Sequence, residues 1–110
     1  MNNDKLQLMS LGKSIHEMAQ EKGWWDKPRE DGTVLMLIVT ELAEAMEAVR
    51  VGDPMSKTIA PFSTVEEELA DTIIRILDFA EHRGFELEKA IRAKMAVNAN
   101  RPYRHGEKLA

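Results

Sequence analysis

Apolar positions recur at helical steps in four stretches of the chain. Leu8, Leu11, Ile15 and Met18 follow one another three and four residues apart, which draws a single apolar stripe. They predict a helix from about Asp4 to Lys22, terminated by Gly23. A second helix is predicted from Thr33 to Val51. Its first half, VLMLIV, is apolar all round, and Leu35, Ile38, Leu42, Ala45 and Val49 continue one stripe. A third helix opens at Ser63 or Thr64, with Thr64 and Glu67 at capping-box spacing, carries Val65, Leu69, Ile73, Ile76 and Ala80, and ends at Gly84. The fourth covers roughly Glu86 to Ala99 and stops before Arg101-Pro102. The connections GWWDKPREDG and GDPMSKTIAPFS are polar and rich in Gly and Pro, and no segment alternates strictly enough for a strand. The expected fold is all-α, a four-helix antiparallel bundle forming one domain over residues 1–110. Four helices in so short a chain leave a thin core, and the second helix has more apolar girth than one small bundle covers. A homodimer or homotetramer that buries the excess is expected.

Several polar residues interrupt these apolar faces. Glu41 projects between the directions of Leu37 and Ile38, on the flank of the second stripe; Glu44 is one step further out and Glu47 faces outward. Glu68 and Asp71 repeat the spacing of three on the third helix. Residues three apart on a helix are neighbours, so each pair presents two carboxylates to one cation, and without a cation they repel. Glutamates at this spacing are also common on solvated faces, so either pair alone is weak. Two pairs flanking apolar stripes on neighbouring helices favour a metal site. All-oxygen ligation suits Mg²⁺, with Mn²⁺ as the alternative, better than iron, because no histidine stands where a di-iron bundle places one.

The fourth helix carries a second anomaly. Leu87, Ile91, Lys94, Asn98 and Arg101 share one stripe whose second half is polar. Either the long stems snorkel to water at the helix end, or these residues form a cationic lip for phosphates. His16, Trp24 and Trp25 stand at the end of the first helix, as packing residues or as a platform on which a base stacks.

Composition narrows the choices. There are no cysteines, which excludes disulfides and thiolate metal sites and fits a reducing cytoplasm. No apolar run is long enough to span a bilayer and the N-terminus lacks an apolar signal core, so neither a membrane role nor export is expected. A formal net charge of −4 argues against nucleic-acid binding. It does not argue against a phosphorylated ligand, since a divalent ion can supply positive charge.

Glu41-x-x-Glu44, a 23-residue gap, Glu68-x-x-Asp71 and then KMAVNANRPY together resemble the MazG-like all-α nucleotide pyrophosphohydrolases. Upstream, IHEMAQEKGWWDKPREDGTVLMLIVTELAEAMEAVR is similar to the N-terminal half of the dCTP-pyrophosphatase-like branch, so the resemblance runs from about Leu8 to Gly106. It implies Mg²⁺-dependent hydrolysis of a nucleoside triphosphate, often a deoxy one, to the monophosphate and pyrophosphate. It further implies Glu41, Glu44, Glu68 and Asp71 as metal ligands, Lys94, Asn98 and Arg101 near phosphates and sugar, and His16 with Trp24 or Trp25 at the base. Thr40 stands where many members carry the first of two glutamates.

The chemistry of the residues agrees. Cleaving an α–β phosphoanhydride needs an in-line water and stabilisation of the leaving pyrophosphate, which Mg²⁺ supplies, and a carboxylate, Glu41 or Glu44, to take the water's proton. No Gly-rich phosphate loop is present. Two other readings stand beside this one: phosphoribosyl-ATP pyrophosphohydrolase, separable by substrate, and a non-catalytic helical interaction domain whose acidic pairs are solvated faces.

Overall fold

The computed structural model of the chain describes residues 7–103. Among them stand four helices: α1 (Gln7–Glu21), α2 (Asp31–Arg50), α3 (Thr64–His82) and α4 (Leu87–Ala99). There is no strand among the described residues, only an isolated antiparallel bridge between Met55 and Ser63. The expected start of the first helix at Asp4 lies outside the described residues. Gly23 ends α1 as anticipated: its φ is +82°, and its amide donates to the Gln20 carbonyl at 3.0 Å. α2 begins at Asp31 rather than Thr33, because a first turn tolerates Gly32 and an aspartate is favoured at the positive end of the helix dipole. The capping box of α3 is Ser63 with Glu66, one residue earlier than the Thr64–Glu67 pair. Thr64 instead donates both its amide and its hydroxyl to the Pro54 carbonyl, at 2.8 and 2.7 Å. Glu67 is taken up by the loop.

α3 packs against both α1 and α2. Contacts at three levels show α2 and α3 running in opposite directions. Asp31 pairs with Arg83 at 3.6 Å, Glu41 with Arg75 at 3.1 Å, and the Asp53 carboxylate accepts the Val65 amide at 2.8 Å. The buried face of α2 is Val34, Ala45 and Ala48, with Leu37, Ile38 and Glu41 half-buried between them. Of the expected stripe, Ala45 is buried and Ile38 half-buried, whereas Leu35, Leu42 and Val49 lie on the exposed side. Leu35, Val39, Leu42, Met46 and Val49, stepping four, three, four and three, are all about half exposed. The physical reason is size: two alanines let the helix axes approach closely, and an apolar-all-round helix has no polar face to forbid the rotation.

The loop between α2 and α3 is pinned by polar contacts rather than by a core. Buried Ser56 donates its hydroxyl to Glu67 Oε1 at 2.6 Å and accepts the amides of Thr58 and Ile59. The Thr58 hydroxyl donates to Glu67 Oε2 at 3.2 Å.

α4 packs against α1 through its beginning. Glu88 there is buried, and its Oε1 accepts the Leu8 and Met9 amides at 3.0 and 3.2 Å, so a side chain 80 residues away caps the first turn of α1. From Lys89 onward every residue of α4 is exposed. Among the described residues, no helix is long and apolar enough to cross a membrane.

Candidate active site

Glu68, Asp71, Arg75, Asp78 and His82 step by three, four, three and four along α3, so one polar face runs the length of the helix. Two clusters form along it.

The first cluster is acidic. Glu41 and Glu44 on α2 bring carboxylate oxygens within 4.8 Å of each other and of Glu68. Glu67, Glu68 and Asp71 form an overlapping group at the same limit, so Glu68 belongs to both. Glu67 is already satisfied by Ser56 and Thr58 and is the least available of these carboxylates. Glu68 Oε2 is the opposite: it is buried and accepts no hydrogen bond. The carboxyl groups near Glu68 are those of Glu41, Glu44, Glu67 and Asp71, which have no proton to give when ionised. Only a shared proton or a cation satisfies such an atom. A proton shared with Glu44 is the largest cause that pushes Glu68 up from an ordinary 4.5 to about 7; burial and the charges of Glu44, Asp71 and Glu41 add to it. Asp71 is also pushed up, first by burial and then by the charges of Glu41 and Glu67, while Arg75 acts in the other direction. The donor set is oxygen throughout, and these residues could hold a hard divalent ion.

The second cluster is aromatic. Asp78 accepts from His16 Nδ1 at 2.7 Å and from Trp25 Nε1, which is shared between its two oxygens at 3.0 Å each. Trp25 stacks on His82 with ring centres 3.7 Å apart and planes 10° from parallel. His16 meets both rings edge-on. The two tryptophans thus divide their work. Trp25 is locked in this network, whereas Trp24 is half exposed, with the Arg75 and Arg29 guanidinium carbons 5.2 and 5.8 Å from its ring centre.

A cavity of about 520 Å³ is lined by members of both clusters. Leu11, Ile15, Met18, Ile74 and Trp24 supply its apolar lining, and Glu41, Asp71, Arg75 and Asp78 supply charged groups. That volume falls in the range of small-molecule sites, and an apolar cavity with a few convergent polar groups is their usual form.

Of the sequence-derived candidates, Glu41, Glu44, Glu68 and Asp71 are therefore gathered in one place. Trp24 is at the cavity, and His16 and Trp25 are beside it through Asp78. Lys94 and Asn98 are exposed on α4, and Arg101 is exposed in the turn after it; none of the three lines the cavity. Three participants escaped the sequence reading: Arg75, Asp78 and His82. Their signal was present, since they continue the Glu68–Asp71 spacing up α3.

The chain is similar to a dATP/dGTP diphosphohydrolase of Cyanophage S-2L, with 29% identity over 94 residues that cover 82% of this chain and 78% of the relative. No protein-family model matches the chain, and no solved structure matches it.

Proposed function

We propose that the chain is a nucleoside triphosphate pyrophosphohydrolase, a Mg²⁺-dependent enzyme that splits a (deoxy)nucleoside triphosphate into the monophosphate and pyrophosphate. The observation that carries this reading is the Glu68 carboxylate, with one buried, unpartnered oxygen, grouped with Glu41 and Glu44, where Glu41 also lines a cavity that Trp24 shares. Glu41, Glu44, Glu68 and Asp71 would hold the metal. Bound there, Mg²⁺ would offset the charge of the triphosphate and of the departing pyrophosphate. The chain's own part is to present these carboxylates, Glu41, Glu68 and Asp71 half-buried and Glu44 exposed, to take the proton of the attacking water on one of them, and to keep the base on Trp24 beside the apolar lining. His16 and Trp25, held by Asp78, stiffen that lining. Lys94, Asn98 and Arg101 enter as phosphate and sugar contacts on the strength of the MazG-like resemblance alone.

The relative's name supports the reaction class and makes purine deoxynucleotides the first to try. A dCTP-pyrophosphatase-like preference is the competing outcome of the same test. Purified protein with Mg²⁺ is offered a panel of canonical and modified nucleotides and scored for pyrophosphate. Release from at least one of them, lost in Glu68→Gln while the fold is retained, is expected. No release from any nucleotide with either Mg²⁺ or Mn²⁺ would leave the non-catalytic helical domain as the better reading.

The bundle is completed, on this reading, by a second copy of the chain. The exposed residues Leu35, Val39, Leu42, Met46 and Val49 carry the four-three repeat by which like helices pack seam to seam. A homodimer or a homotetramer built from such pairs would cover it.

A further inference from the structure

Arg75 is engaged by two other residues of the cavity lining. Its Nε donates to Glu41 Oε1 at 3.1 Å, and its guanidinium carbon lies 5.2 Å from the centre of the Trp24 ring. Arg75, Glu41 and Trp24 all line the cavity. Arg29 also lies over Trp24, at 5.8 Å, but does not line the cavity.

A guanidinium stays charged throughout the accessible pH range, so proton loss never dissolves its pairing. A divalent cation seated at Glu41 competes with Arg75 for the lone pairs of one carboxylate. A base laid on the cavity side of Trp24 competes with the same guanidinium for the ring face, which attracts cations and flat rings alike. Arg75 therefore opposes both ligands at once, and whichever displaces it lightens the task of the other.

We propose that Arg75 is a positioning residue that couples cation binding to base stacking: its guanidinium bridges Glu41 and Trp24, and a metal ion at Glu41 releases the Trp24 ring for the nucleotide. The inference rests on the reading of the carboxylates as a metal site. It predicts a reciprocal coupling, in which metal favours the base and the base favours metal by the same factor. It also gives a substitution with two opposite consequences. Without Arg75 the metal binds more tightly, and the base gains nothing from the metal beyond what its phosphates chelate.

Two measurements on the full chain test this, neither of them an activity. Mn²⁺ is titrated calorimetrically, without nucleotide, into the natural protein, Arg75→Ala and Arg75→Lys. Loss of a half-buried ion pair at a ligand should tighten Mn²⁺ about threefold to tenfold in Arg75→Ala. Arg75→Lys should fall between, because it keeps the charge and loses the flat, forked group. Tryptophan emission is then followed as Mg²⁺ is added. The natural protein should respond as the guanidinium leaves Trp24; Arg75→Ala and Trp24→Phe should not. Charge removal by itself would tighten Mn²⁺ but would not abolish the emission change.

Equal Mn²⁺ affinity in the natural protein and Arg75→Ala overturns the coupling and leaves the metal site standing, as does an emission change that survives in Arg75→Ala. Failure of every protein to bind Mn²⁺ removes the metal site itself, and the coupling with it. Should Arg75→Ala not fold by circular dichroism, Arg75→Lys carries both readouts with a smaller expected shift.

Discussion

Glu68 concentrates the electrostatic cost of this fold in one side chain. Its carboxyl holds a proton to about 7 in the folded protein and to 4.5 in an ordinary setting. Between those two values the unfolded chain binds fewer protons than the folded one, so stability falls as pH rises. The contribution is whole below 4.5 and gone once pH passes 7. A cation that binds only the folded form returns it by mass action, and more effectively at high pH, where it does not compete with protons. Thermal melts in the presence of a chelator should therefore show the melting temperature dropping across this window. Glu68→Gln should drop less, since an amide has no charge to be buried. Added Mg²⁺ at about pH 8 should raise the melting temperature of the natural protein and leave Glu68→Gln nearly unmoved. Equal pH profiles for the two proteins would show that the Glu68 environment carries no such cost.

Helix-scale behaviour depends on how each element is held at its ends. α1 supplies apolar lining of the cavity through Leu11, Ile15 and Met18, yet its first turn is capped by Glu88 from the start of α4. Removing that carboxylate leaves the Leu8 and Met9 amides without their acceptor. Glu88→Ala should cost about 1–2 kcal/mol in denaturant unfolding, the range for a lost cap. Glu88→Gln, which keeps one acceptor oxygen, should cost less. α3 is started by Ser63 and Glu66 and steadied by the Ser56–Glu67 clamp, so its polar face keeps its phase along the whole helix. The two carboxylate pairs are legible because Glu41, Glu44, Glu68 and Asp71 obey helix periodicity. The continuation through Arg75 and Asp78 obeys it too. Spacing alone does not mark it as functional, because charged residues on a helix are ordinarily solvated and nothing in the spacing says that α1 comes to lie over them.

At the level of the whole molecule, the single chain leaves a large share of its apolar residues uncovered. Among the described residues the buried hydrophobic core is Val34, Ala45, Ala48, Leu77 and Ala80, mostly small side chains, while Met36, Val39, Met46 and Ile73 stand more than half exposed. On the proposed reading a second copy of the chain covers this surface. Light scattering behind gel filtration should report a dimer or a tetramer. Val39→Asp, which places a charge in the middle of the exposed α2 seam, should shift the population toward the monomer without unfolding the helices. A natural protein that is monomeric at micromolar concentration would remove the basis for this face as a seam.

What the amino-acid sequence determined by itself was periodic. Four helices, their glycine stops at Gly23 and Gly84, and two carboxylate pairs at one-turn spacing all follow from local rules, because helix propensity, turn chemistry and i, i+3 geometry act between near neighbours. Tertiary structure alone decided the rest. It chose the alanine face of α2 over the leucine face, since packing distance rather than hydrophobicity selects among equivalent apolar sides. It turned Asp78 from a solvated charge into the anchor of His16 and Trp25, and set Arg75 between a carboxylate and an indole ring. Those contacts join residues 34 to 62 positions apart or lie across separate helices, and a spacing rule within one helix carries no term for them.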